Sequence, residues 1–219
     1  MGGNAHHAAR TRDFTVNRKF EPSSRYRDDI YLDDVAISTY DERWTYVACE
    51  NDRPCSDCGS LSPHLNCIII AVDGACKGNG KPGARASVGV FVGNESEYNK
   101  SVLLSESNAT NQVAELQAGI LALHQAMKIR DIGLDGEELH EVVIKADSEY
   151  LVKGMTEWIF KWKANGYRTS KGTPVTNSAL FQKLEELVGD LNASDVEVLF
   201  WHVPRSQNTR ADELANKAL

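Results

Sequence analysis

The sequence predicts an α/β (α+β mixed) domain, a five-stranded mixed sheet flanked by helices, with an N-terminal extension. Three features point there. Short apolar segments and helix-period segments follow one another in the order βββαβααβα. Two β-branched runs, Cys67 to Val72 and Val142 to Ala146, each close on an aspartate, Asp73 and Asp147. Between them Val113, Leu116, Ile120, Leu123 and Met127 recur at spacings of three and four, the buried stripe of a helix.

Residues 1–27 carry six Lys/Arg against Asp13 and Glu21 and are expected to be a disordered basic terminus. Residues 28–66 form an extension with scattered aromatics (Tyr31, Tyr40, Trp44, Tyr46) and a Cys/His cluster, with a strand or two packing on the domain that follows. Within 67–219 the pattern predicts strands 67–73, 85–93 and 98–104 as an antiparallel meander with a Gly/Asn/Pro turn at 78–83. A helix over about 111–130, a strand over 142–147, helices over about 148–161 and 177–190, a strand over 196–203 and a last helix from about 209 complete the order.

The 42% apolar content suffices for a packed core. No run of eighteen apolar residues is present, which excludes a membrane-spanning helix, and the N-terminus lacks the apolar stretch of a secretory signal. An intracellular protein is expected, nuclear or cytoplasmic. The Arg-rich terminus also fits a mitochondrial presequence, although its helical periodicity is weak. A net charge of −7 gives the chain no overall attraction for polyanions. Local charge matters more: Lys153, Lys161, Lys163, Arg168 and Lys171 crowd one window, interleaved with Trp158, Trp162 and Tyr167.

Four acids stand in four separate contexts: Asp73-Gly74, Asn111-Gln112-Val113-Ala114-Glu115, Asp147-Ser148 and Asn208-Thr209-Arg210-Ala211-Asp212-Glu213-Leu214-Ala215. A strand that ends on a carboxylate delivers that charge to one edge of a sheet, where an oxygen-preferring dication can neutralise it. With these segments in order, and with Trp158-x-x-x-Trp162-Lys163-Ala164-Asn165-Gly166-Tyr167 behind them, the chain from Cys67 onward resembles a type 1 ribonuclease H, most closely the eukaryotic branch.

That resemblance implies an endonuclease that hydrolyses the RNA strand of RNA–DNA hybrids and leaves 5′-phosphate and 3′-hydroxyl ends. Asp73, Glu115, Asp147 and Asp212 are its implied catalytic and metal-binding residues. They would hold two Mg²⁺ ions (Mn²⁺ substituting) about 4 Å apart, which activate a water and stabilise the leaving oxygen. Asp73 would bridge the ions, Glu115 and Asp147 hold the leaving-group side, and Asp212 the water side. Four acids held together without cations should have raised pKa values. The family's mobile-loop histidine has two candidate alignments. A gapless count selects His202. Aligning Val203 with the strand end shortens the loop, leaves His202 in the strand and gives Arg205 the nearby positive charge. The second is favoured.

Discrimination of RNA from DNA rests on the 2′-hydroxyl. Asn79, Asn111 and Gln112 match positions that read the minor groove, where an amide both donates and accepts. Tyr150, Trp158, Trp162 and Ser170 match a channel for the DNA strand. Thr110 and Asn177 match a phosphate pocket whose usual arginine is replaced by Asn108. The resemblance implies an RNA–DNA hybrid as partner, and a monomer is expected. A non-catalytic hybrid-binding module on the same fold is the rival reading, and four intact acids speak against it. A DEDD exonuclease is another, opposed by the Trp/Asn/Gly segment.

Cys49, Cys55, Cys58, His64 and Cys67 lie in the pattern Cys-x₅-Cys-x₂-Cys-x₅-His-x₂-Cys. Three states fit: a structural Zn²⁺ site that clamps the extension to the domain, free thiols, or a disulfide. Cys76 is expected to be a free thiol.

Overall fold

The computed structural model describes residues 17–105 and 110–219. Its centre is the long strand β3 (Pro63–Lys77). Among the described residues, seven strands form one sheet: β1 (Ala36–Ser38), β2 (Thr45–Ala48), β3, β4 (Arg85–Phe91), β5 (Lys100–Leu103), β6 (Glu141–Ala146) and β7 (Glu197–His202). β3 is long enough that β2 pairs with its first half and β4 with its second half, both antiparallel. β6 runs parallel along the opposite edge, with Cys67 facing Glu141 and Val72 facing Ala146, and β7 runs parallel to β6. The parallel pairing carries Asp73 and Asp147, one residue past Val72 and Ala146, to the same end of the sheet.

Alternation along the strands separates two cores. Ile68, Ile70, Val72, Val142 and Ile144 point to one face, beneath α2 (Asn111–Ile132) and α5 (Ser178–Asn192). Cys67, Ile69, Val143 and Leu199 point to the other. Burial on α2 is wider than the single stripe expected. Val113 and Met127 are only half-buried, whereas Ala114, Ala118, Ala122 and Ala126 form a fully buried row. A row of small side chains lets the helix lie close to its neighbours.

The expected strands and helices are present with shifted ends, and the helix predicted over 148–161 is longer and not uniform. α3 (Glu149–Lys153) and α4 (Ile159–Asn165) are joined by a π-helical turn, Gly154–Trp158. α6 (Thr209–Lys217) closes the chain.

The extension supplies β1 and β2, the strand or two expected of it, which join the domain's five strands in one sheet. The largest departure lies before it. Residues 17–27, predicted to be disordered, are packed; residues 1–16 lie outside the described residues. Lys19 bridges Phe200 in parallel, so this segment extends the sheet beyond β7. The single turn α1 (Pro22–Arg25) follows. Phe20, Tyr26 and Val35 are buried against Val47, Leu61, Ile69 and Trp201. Burying one side chain such as Phe20 contributes about 1.5–3 kcal/mol, enough to hold a short segment whose composition alone reads as solvated. Among the described residues, no helix is long and apolar enough to cross a membrane.

Candidate active site

Two glycines decide how closely two acid-bearing helices approach the sheet. A Cβ on Gly74 would lie 2.3 Å from the backbone nitrogen of Glu115, so the bare glycine lets the start of α2 rest on β3. A Cβ on Gly89 would lie 2.1 Å from the carbonyl oxygen of Ala211 and 2.5 Å from the nitrogen of Ala215. Gly89 faces Asp73 across β3 and β4. One glycine thus brings Glu115 to the sheet edge and the other brings Asp212.

The result is an open cleft of about 530 Å³ lined by Asp73, Gly74, Asn111, Glu115, Asp147, Arg205 and Asn216 among others. Each acid has its own fixing contacts. Ser148 Oγ donates to Glu115 Oε2 at 2.6 Å, and Asn111 Nδ2 donates to Oε1 at 2.6 Å. Asn208 Nδ2 donates both to the carbonyl of Val72 (2.8 Å) and to Asp147 Oδ1 (2.9 Å). It ties the strand end that carries Asp73 to the carboxylate at the end of β6. Arg205 donates to Asp212 Oδ1, and Asn216 Nδ2 donates to Oδ2 at 2.9 Å.

The electrostatics are those of like charges held together. Burial, followed by the charges of Asp147 and Asp212, raises the Asp73 pKa to about 6 from an ordinary 3.8. Glu115 is also raised, chiefly by burial and further by Asp147, against the opposing Ser148 hydrogen bond. Arg205, bonded to Asp212, is the positive group that partly offsets this field, and its own pKa is raised by that bond. His202 is the exposed last residue of β7, opposite Ala146, and a 3₁₀ turn at Arg205–Gln207 follows almost at once. The connection is short, and Arg205 rather than His202 faces the acids.

The residues predicted to meet nucleic acid fall in two groups. Asn79 and Asn111 adjoin the acidic cleft, with Asn79 Oδ1 accepting from the Asn111 backbone N–H at 3.1 Å, and Gln112 is exposed beside them. Trp158, Trp162 and Ser170 line a second cleft of about 420 Å³ together with Lys161, Arg168 and Thr169. Tyr150 lies behind Trp158, with ring centroids 6.1 Å apart, and its hydroxyl accepts from Asn177 Nδ2 at 3.4 Å. The tryptophans are half-buried: Trp162 packs on the core residue Phe181 at 4.9 Å and on Trp158 at 5.6 Å. Thr110 and Asn177 cap the starts of α2 and α5, and no hydrogen bond joins them among the described residues. Asn108 lies outside the described residues. Sequence reasoning assigned no role to Ser148, Asn208 or Asn216. Each is adjacent to, or within four residues of, an acid, and that proximity was the available signal.

The residues of the Cys/His pattern do not all meet at one point. Cys55 and Cys58 are exposed in a turn of their own, and Cys67 is buried in β3 with its Sγ 3.3 Å from Asn66 Oδ1. Cys49 and His64 do come together, but with Glu50. No disulfide joins any of the five cysteines, including Cys76.

A mixed sheet whose central strand carries an acid beside the acid that follows its parallel neighbour, with helices bringing two more, is the RNase H-like class of fold. The RNase H family model matches residues 66–219. Ribonuclease H of Schizosaccharomyces pombe is 38% identical over 149 residues, covering 68% of this chain and 52% of that protein. Ribonuclease H of Pseudomonas savastanoi is 36% identical over 152 residues, 69% of this chain and 92% of that protein. Ribonuclease H1 of Mus musculus is 32% identical over 154 residues, 68% of this chain and 49% of that protein. The match therefore spans nearly all of the bacterial relative and about half of the two eukaryotic ones. The foamy viral protease-reverse transcriptase in complex with dsDNA aligns with a TM-score of 0.54 at 21% identity, over 68% of this chain and 91% of that chain, and supports the fold alone. The chain belongs to the RNase H family.

Proposed function

We propose that the protein is a metal-dependent endonuclease that hydrolyses the RNA strand of RNA–DNA hybrids, leaving 5′-phosphate and 3′-hydroxyl ends. The observation that carries this reading is the convergence of Asp73, Glu115 and Asp147 on one open cleft, with Asp212 held beside it by the cleft residues Arg205 and Asn216, and with Asp73 pushed up to about 6 by burial and by its acidic neighbours. Such a set is costly until cations join it, and its all-oxygen donors suit Mg²⁺ or Mn²⁺. When bound, two such ions supply an activated water and a stabilised leaving oxygen.

The chain's own residues supply position. Asp73, which feels the charges of both Asp147 and Asp212, would hold both ions. Asn208 fixes Asp147, and Ser148 with Asn111 fixes both oxygens of Glu115, beside the groove-reading amides of Asn79, Asn111 and Gln112. Arg205 holds Asp212 and supplies the positive charge that the family's loop histidine would. Tyr150, Trp158, Trp162 and Ser170 take the DNA strand, whose planar walls crowd a 2′-hydroxyl, and Thr110 and Asn177 take a phosphate.

Labelled RNA–DNA hybrid, double-stranded RNA and double-stranded DNA, each with and without Mg²⁺, test the proposal. The expected result is Mg²⁺-dependent cleavage of the RNA strand of the hybrid alone. Asp73→Asn should abolish cleavage while hybrid binding survives or tightens, because the lost charge faces phosphates. Hybrid binding without cleavage by the wild type would hand the fold to a binding role.

A further inference from the structure

We propose that Cys49, Glu50 and His64 form a binding site for a zinc-class transition-metal dication, separate from the acidic cleft. Cys49 follows β2 and His64 opens β3. Val47 faces His64 across the pair, and Cys49, two residues beyond Val47, projects to the same face. The backbone N–H of Cys49 donates to the carbonyl of Ser62 at 2.8 Å, which holds the hairpin closed at this point. One ligand atom from each of the three residues lies within 4.8 Å of the other two. Tetrahedral edges for Zn–N and Zn–S bonds are roughly 3.3–3.8 Å, so small side-chain movements suffice.

Three further features fit an ion. The donor set is one thiolate, one carboxylate and one imidazole, a mixture that suits zinc and its neighbours and is foreign to Mg²⁺. The two anionic ligands balance a dication, and the Cys49 thiol proton leaves to solvent on binding. The third feature is a preformed contact. His64 is only 4% exposed, and its Nε2 lies 2.9 Å from Glu50 Oε2, so imidazole and carboxylate already meet at the position an ion would take. Glu50, with 35% of its side chain exposed, leaves a path from solvent.

Cys55 and Cys58 are not ligands here. Their turn is closed on itself by Gly59 N–H to Cys55 carbonyl (2.8 Å) and Cys55 N–H to Ser60 carbonyl (2.9 Å). Three protein ligands leave a fourth position for water, so the ion exchanges. The site lies nine residues before Asp73 on the same strand, roughly 30 Å away at the rise of a β-strand. Its role is to pin the β2–β3 hairpin, and with it the extension, to the sheet.

The test is titration of the full chain with Co²⁺ in excess Mg²⁺, which keeps the acids of the cleft occupied. The expected result is about one equivalent bound with a thiolate-to-cobalt charge-transfer band, a signature that carboxylates cannot give. Cys49→Ser and His64→Gln should each lose the band. Glu50→Gln, at a partly exposed position that should fold normally, should weaken binding by at least ~10-fold. Added Zn²⁺ should raise the Tm of the wild type and not of these variants. The Cys55→Ser/Cys58→Ser double variant should keep the band. No band in the wild type, a band that survives Cys49→Ser, or one lost with Cys55 and Cys58 would each overturn the assignment. Hybrid cleavage is read separately, so failure of the endonuclease reading leaves this result standing.

Discussion

The acidic cleft and the seam between the extension and the sheet handle charge in opposite ways. In the cleft, Asp73 feels the charges of Asp147 and Asp212, and Arg205 is the positive group bonded to Asp212. In the seam, Arg18 is buried and makes a two-point ion pair with Glu185, which also accepts from Lys163, while the guanidinium lies 5.4 Å from the centre of the Phe160 ring. Paired opposite charges settle a structure. Clustered like charges do not, and a protein that keeps them pays in stability for something it does with them. The seam is thus built for holding and the cleft for binding cations.

The sharpest way to break the contrast is Gly89→Ala. The new methyl would collide with backbone at Ala211 and Ala215, which cannot rotate away. About 3 kcal/mol of overpacking is expected, and displacing Asp212 by even 1 Å should cost roughly 10²-fold in cleavage. Thermal melts and initial rates on a hybrid check both. Wild-type rates from Gly89→Ala would show that α6 does not position the acid.

Arg18→Ala attacks the other region. Glu185 would keep Lys163 but lose its buried partner, at a cost near the lower end for a broken buried pair, about 3 kcal/mol. Stability should fall while the Mg²⁺-dependent rate per folded molecule stays within a factor of about two. A large loss of kcat with an unchanged Tm would mean that the seam serves catalysis through α4, which carries Lys163 and Trp162.

The pH dependence separates the regions without mutation. Asp73 has a folded pKa of about 6 and an ordinary value of 3.8. Between those values the folded state binds the extra proton, so stability is lost as pH rises through that window and the loss is complete above it. Roughly 2–3 kcal/mol is involved. In EDTA, the Tm should therefore decline from about pH 4 to pH 7. Mg²⁺ should restore it most at the high end, and Asp73→Asn should flatten the EDTA profile. An EDTA profile in Asp73→Asn as steep as that of the wild type would assign the slope to other groups.

Legibility in the sequence followed the physics of each region. The acids were visible because apolar runs that end on Asp are unusual, and because parallel pairing in register carries Asp73, inside β3, beside Asp147, just past β6. The seam was visible only in part. Scattered aromatics announced a strand or two in the extension, but β1 and β2, three and four residues long, are too short for a period to place them, and Phe20, Tyr26 and Val35 are isolated apolar residues in polar surroundings. The cysteine cluster misled for a related reason. Linear spacing suggests that Cys55 and Cys58 nucleate a site, but a hairpin joins its two ends and leaves its tip outside, which pairs Cys49 with His64. The role of Asn208 depends on a contact between segments 136 residues apart, Val72 and Asn208, and no local pattern reports it.

The smallest expected effect lies at the rim of the cleft, where Asn111 and Gln112 were given the same groove-reading role but sit differently. Asn111 is already committed: its Nδ2 donates to Glu115, and its backbone N–H donates to Asn79. Asn111→Ala would therefore disturb a metal-facing acid as well as the groove, and should lower kcat along with selectivity. Gln112 is exposed and lines no part of the acidic cleft. Gln112→Ala should remove one polar contact worth about 1 kcal/mol, seen as a higher KM for hybrid at unchanged kcat. The split between the two variants is the informative quantity, because one substitution reaches the chemistry and the other only the substrate. Equal kcat losses in both would place Gln112 on the acids as well. Unchanged KM in both would remove the two amides from substrate recognition.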